Sequence, residues 1–271
     1  MRRRGWMLFA APAATLFLAF WLLPMAGLAL AGARGVDGRS AYLIVLGSAQ
    51  YWRSLFNTAA LSLAATLATL LVALPVGRFL GWHRDFPGRR ALVALIAFPL
   101  AFPGVVVGFL IILLAGRQGV LAQAARWLGA EPVVFAYGMG GLFLGYLYFS
   151  LPRTIGMISA AAEQTDRSLL EAARTLGASP WRRFADVELP ALVPALVGAG
   201  AMSFATSMGA FGTAFTLATQ IDVLPITIYN EFTNYANIPV AAALSIVLGA
   251  ATWAVLYAAH SVAGARAGAA A

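Results

Sequence analysis

The sequence predicts an all-α polytopic membrane protein with about six transmembrane helices, and three observations carry that expectation. Hydrophobic residues make up 61% of the 271 and charged residues 10%, and mean hydropathy is +0.82, a balance foreign to soluble globular domains. Six stretches without a charge, at 6–31, 55–77, 91–115, 133–151, 191–215 and 240–259, are each long enough to cross a hydrocarbon core of about 30 Å. All 18 basic residues are arginines, and they gather at the ends of those stretches.

The first stretch follows Met1-Arg2-Arg3-Arg4 and closes on Ala29-Leu30-Ala31, which imitates a secretory leader with a small-residue cleavage site. A leader core runs about 7 to 15 residues. This run is longer and is read as an uncleaved first span. The third stretch holds Pro99 and Pro103, where a helix must kink or break. The fourth carries Gly141-x-x-x-Gly145, a notch for close helix packing, with Tyr146 and Tyr148 as interfacial aromatics. On the fifth, Ser203, Thr206, Ser207, Ala210 and Thr213 recur at three- and four-residue intervals beside Gly209 and Gly212. Such a stripe either lines an aqueous translocation path or packs against a neighbouring helix; spacing does not decide between them.

The connections at 32–54, 116–132 and 216–239 on one side, and at 78–90 and 152–190 on the other, are too short for independent domains. The chain is therefore read as one membrane domain, 1–262, with a flexible Ala/Gly-rich tail at 263–271. Residues 120–128, with Trp127, form either a short interfacial helix or an ordinary hairpin cap. With the N-terminus inside, thirteen arginines face inward, Arg78, Arg84, Arg153, Arg167 and Arg174 among them, against Arg34, Arg39, Arg53, Arg117 and Arg126 outside. The positive-inside rule then selects N-in, C-in. The net charge of +8 is read as a collar for lipid headgroups rather than a nucleic-acid footprint.

The inner loop at 152–190 is the longest polar segment. Asp166 or Ser168 can cap a helix, and Ser168-x-x-Glu171 fits a capping box. Leu169, Ala172, Ala173 and Leu176 follow helical spacing and make a small apolar face. Gly177 is placed to end the helix in a left-handed turn, and Ser179-Pro180 starts a second one. A short helix with two alanines on its exposed face suits insertion into a partner's groove.

The string Glu171-Ala172-Ala173-x-x-x-Gly177, followed by Val187-x-Leu189-Pro190, resembles the EAA signature of permease subunits of bacterial binding-protein-dependent ABC importers, with Val187 where isoleucine is commoner. The resemblance spans about 54–259. It implies a type I importer fold in the bacterial cytoplasmic membrane, a second permease alongside, two cytoplasmic ATPases that bind ATP and magnesium, and a soluble substrate-binding protein. It makes Glu171 through Gly177, with Leu176, Leu189 and Pro190, the element that couples to the ATPase, and implies that transport proceeds by alternating access.

The residue inventory points the same way. No lysine exists to complete a phosphate-binding P-loop, so the chain is not expected to be an enzyme or to hold a cofactor of its own. Cysteine is absent, which removes disulfides and thiolate metal sites. His83 and His260 stand alone at span ends, and no charged group is expected mid-membrane, as an ion-coupled carrier would require. Such a carrier, or a membrane scaffold, is the alternative. For the solute, Asp222 and Glu231 in 216–239, with Gln220, Asn230, Thr233, Asn234 and Asn237 and no basic residue, make an outer mouth that attracts cations or docks the binding protein. The stretch 223–245 is most similar to the spermidine/putrescine subgroup, which also includes ferric iron, thiamine, aminoethylphosphonate and sulfate importers. A polyamine-like cation is thus favoured.

Overall fold

The computed structural model describes residues 11–35, 39–218 and 221–269, with side chains as far as Ser261. Arg2 to Arg4, Trp6, Gln220, Ala270, Ala271 and the side chain of Arg266 lie outside the described residues. The regular elements are helices: α1 (Ala11–Arg34), α2 (Ala41–Gly47), α3 (Ala49–Trp82), α4 (Arg89–Ala97), α5 (Gly104–Ala115), α6 (Val120–Trp127), α7 (Met139–Gln164), α8 (Arg167–Thr175), α9 (Pro180–Met208), α10 (Phe211–Leu217), α11 (Leu224–Tyr229) and α12 (Ile238–Ala269). Among the described residues, five segments are long and apolar enough to cross a membrane: α1, α3, Gly104–Trp127, α9 and Ile238–Ser261.

Two compact units divide the chain, one of residues up to Phe56 with Leu224–Ala251, the other of Asn57–Val223 with the residues from Thr252 onward. In the first, Ala41, Val45, Leu224, Val240, Ala243 and Leu244 form the buried core. Polar groups inside it are paired, as burial demands. Thr227 Oγ1 donates to Ser54 Oγ at 3.1 Å, and Tyr42 Oη donates to the Ala29 carbonyl at 3.1 Å.

The second unit packs α7 against α9 and α5 against α10 and α7, and α3 meets α7 in a buried cluster of Ala73, Leu80, Ile155 and Ile158. The Gly141/Gly145 notch is used: a Cβ at Gly145 would overlap the Thr213 methyl and lie 3.3 Å from Ile111 Cδ1. Gly145→Leu should therefore lower stability by about 1–3 kcal/mol, read as a lower melting temperature of the detergent-purified protein. An unchanged melt would mean that α7 and α10 do not meet there.

The kink or break expected at Pro99 and Pro103 is present as a broken helix: α4 ends in a 3₁₀ turn at Phe98–Ala101, Phe102 and Pro103 are extended, and α5 starts afresh at Gly104. Prolines supply the break, since each removes a helical donor. Two other boundaries differ from the sequence expectation. The fourth stretch does not stop at 151. α7 continues through Pro152 to Gln164, which places Arg153 in mid-helix and not in the inner loop; an apolar window necessarily ends at a charge, whereas a hydrogen-bonded helix does not. The fifth stretch ends early, at Met208, and begins early, at Pro180. Its first turns pass through a wider π turn at Phe184–Glu188, where the Leu189 N–H reaches the Phe184 carbonyl. Pro190, which has no N–H to give, follows directly. The helix expected at 120–128 is present as α6, with Trp127 92% exposed.

Candidate functional site

The inner-loop helix is built from its caps. Asp166, not Ser168, is the N-cap, its carboxylate accepting from the Ser168 N–H at 2.9 Å. That bond holds the Asp166 carboxyl below its usual range. Because α8 starts ahead of Ser168, Glu171 lies too deep in the helix to complete a capping box and is left exposed. At the other end the Gly177 N–H bonds the Arg174 carbonyl at 3.0 Å and the Ala178 N–H the Ala173 carbonyl at 3.0 Å. This is a Schellman motif, and it places Gly177 at φ +77°, where a side chain is strained.

One residue anchors α8 from below: Leu170 is buried. On the other side Leu169, Ala172 and Leu176 are exposed and Ala173 is half-buried, with Leu176 as much as 87% exposed. Ser179 caps the start of α9, accepting from the Arg182 N–H at 3.3 Å, and Trp181 beside it is exposed. The arginines around this end are partly structural rather than a lipid collar. Arg167 donates to the Trp82 carbonyl at 2.9 Å and lies over the Trp82 ring, Arg84 donates to the Glu163 carbonyl at 3.0 Å, and Arg89 pairs with the Glu163 carboxylate at 3.2 Å. Arg78 forms a two-pronged ion pair with Glu188 and sits over the Phe184 ring. The end of α3 is thus fastened both to α8 and to the π turn after it.

Further along the same two helices that flank α8 is an open cavity of about 430 Å³. α7 contributes Phe149 and Arg153, the break after α9 contributes Gly209 and Ala210, and Thr206 and Thr213 add hydroxyls. Arg153 Nη1 donates to Thr206 Oγ1 at 3.3 Å, and Thr206 in turn donates to the Met202 carbonyl at 2.6 Å. Thr213 donates to the Gly104 carbonyl at 3.2 Å, across the break between α4 and α5.

A sequence model of the family described as "Binding-protein-dependent transport system inner membrane component" matches residues 73–265. The chain belongs to that family. Among curated relatives, the molybdenum transport system permease protein ModB of Escherichia coli K12 is 35% identical over 165 residues, 59% of this chain and 71% of ModB. The sulfate transport system permease protein CysT of the same organism is 31% identical over 223 residues, 77% of this chain and 78% of CysT. Among solved structures, a bacterial alginate ABC transporter in complex with an alginate pentasaccharide-bound periplasmic protein has a chain that superposes with a TM-score of 0.76 at 23% identity, over 95% of this chain and 93% of that one. The last likeness concerns the fold. The protein is accordingly an integral, multi-pass permease.

Within this permease the stripe expected on the fifth span divides in two across the break after α9. Thr206, Ala210 and Thr213 line the cavity, whereas Ser203 and Ser207 are buried with no hydrogen-bond partner for their hydroxyls among the described residues. Leu189 is half-buried and Pro190 exposed, where α9 straightens after its π turn. The two acids of the presumed outer mouth are not alike. Glu231 is buried, accepting from Tyr51 Oη at 2.8 Å and from Asn237 Nδ2 at 3.2 Å. It ties its own unit together. Asp222 is half-buried, and its backbone carbonyl accepts from Asn57 Nδ2 at 3.1 Å.

Sequence reasoning missed three features. Arg153 was counted with the loop because it follows Pro152, a weak terminator once the helix has tertiary support. The Arg78–Glu188 pair joins residues 110 apart, and no local pattern announces it. Ser62, Thr66 and Thr69 form a buried, unpartnered hydroxyl row on α3; their three- and four-residue spacing was there to be read.

Proposed function

We propose that this permease is the membrane-spanning subunit of an ATP-driven importer of a small tetrahedral oxyanion. In this reading ATPase subunits dock on α8 and on its counterpart in a second permease, and a binding protein delivers the solute from the opposite face. The observation that carries the ATPase half is the exposed apolar face of α8, with Leu169 and Leu176 projecting from a capped, pinned helix. Large apolar side chains held so far out of a fold mark a partner's site. α8 also lies in sequence between α7 and α9, which bring Arg153 and Thr206 to the cavity, so displacing it would move both walls.

For the solute, the sequence favoured a polyamine-like cation because of Asp222 and Glu231. Glu231 is buried and doubly hydrogen-bonded, an arrangement that suits a structural role as well as a solute-attracting one. Two relatives take their names from molybdenum and sulfate systems. Sulfate is a tetrahedral dianion, and so is molybdenum in neutral oxygenated water. Vesicles containing the permease with its cognate ATPase and binding protein should accumulate sulfate or molybdate only when ATP is supplied inside the ATPase-bearing compartment. Accumulation of spermidine instead would overturn the oxyanion assignment, and accumulation without ATP would overturn the importer assignment.

A further inference from the structure

We infer that Arg153 and Thr206 form a transient oxyanion station at the cavity lined by α7 and the end of α9. The inference rests on the oxyanion reading above and deepens it. Arg153 is the fifteenth residue of the 26 in α7, two residues past the uncharged run at 133–151, and its side chain is exposed. A charge at the end of an apolar run that opens on a cavity suits the handling of a charged solute.

Here it faces the 430 Å³ cavity, and no carboxylate lines that cavity. Among the described residues its hydrogen bond is to Thr206 Oγ1 at 3.3 Å. The Thr206 proton is committed to the Met202 carbonyl at 2.6 Å, so the hydroxyl can only accept from Arg153. Thr206 therefore orients the guanidinium. Of its five N–H groups one is used, and the rest form the planar fork that matches an oxyanion's paired oxygens. A single such fork, without a second cation or a closed cage, holds a dianion firmly enough to admit it and weakly enough to release it, which conduction requires. Besides Arg153 and the two threonines, the cavity is lined by Gly209 and Ala210 and by apolar walls that include Phe102, Phe149 and Phe211.

The test uses the assembled transporter in vesicles with sulfate and molybdate as probes, comparing wild type with Arg153→Gln, Arg153→Lys and Thr206→Val. The station predicts that Arg153→Gln raises the KM for the oxyanion at least about tenfold, the loss expected for a charge-assisted hydrogen bond. Arg153→Lys should recover part of that, because it keeps the charge without the fork, and Thr206→Val should give an intermediate rise. Assembly with the ATPase should survive in all three. A wild type that imports oxyanions and an Arg153→Gln variant that does so with unchanged KM would overturn the station and leave the oxyanion reading standing. Loss of assembly in Arg153→Gln, with full rescue by Arg153→Lys and no change of KM in Thr206→Val, would make Arg153 a packing cation and also overturn the station. A wild type that imports no oxyanion overturns both.

Discussion

Arg78→Met should be among the most damaging single substitutions in this permease. Glu188 is 8% exposed at its side chain and Arg78 42%, so removing the arginine strands a buried carboxylate, whereas removing the acid leaves a cation that can turn to water. Breaking a buried pair from the costly side destabilises by about 3 kcal/mol; Glu188→Gln should cost only about 1 kcal/mol. The pair, with the Phe184 ring under the guanidinium, fastens α3 to the π turn that follows α8, and its loss should also loosen transport from ATP hydrolysis. Melting curves of the two single variants and of Arg78→Met/Glu188→Leu measure this directly. The double variant should regain most of the stability, since a packed apolar pair can replace a buried ion pair. Equal destabilisation by the two single substitutions would mean that the carboxylate is not buried as described.

The second large effect is expected on α8 and should spare the fold. Leu176 is 87% exposed and Leu169 57%, so replacing either with aspartate should change stability by no more than about 0.5 kcal/mol. At the centre of an interface the same change removes an anchor worth about 2 kcal/mol or more, some thirtyfold in affinity. ATPase retained by the affinity-purified permease should fall accordingly, and uptake with it. Ala173→Trp should act in the same direction by crowding the contact. Gly177→Leu should act differently, through the helix end, since space is free around Gly177 but its φ of +77° disfavours a side chain. If Leu176→Asp retained the full ATPase complement, the docking face would have to be sought elsewhere.

How far the sequence reached is visible in these residues. The ends of α8 were readable because caps are local: Asp166, Gly177 and Ser179 each act within a few residues of themselves. The break at Pro99 and Pro103 was readable because proline acts on its own backbone. Leu170 was not, because Leu169 and Leu170 stand side by side on different faces of α8, and only the neighbouring helices choose which is buried. Glu231 misled for a related reason. In sequence it is an acid in a polar loop, and its partners Tyr51 and Asn237 turn it inward only after folding. Arg153 shows the limit of hydropathy as a boundary signal. The window stops where transfer to lipid becomes costly, yet α7 faces a cavity at that point and the helix runs on.

The central claim is that α8 is where force enters this permease, and the absence of cysteine allows it to be tested without background. A single thiol introduced as Leu176→Cys, in a complex that still transports, can be treated with a short thiol-reactive cross-linker during turnover. The account predicts one covalent adduct, to the ATPase. An adduct to the binding protein, or no adduct to the ATPase in the intact complex, would contradict it.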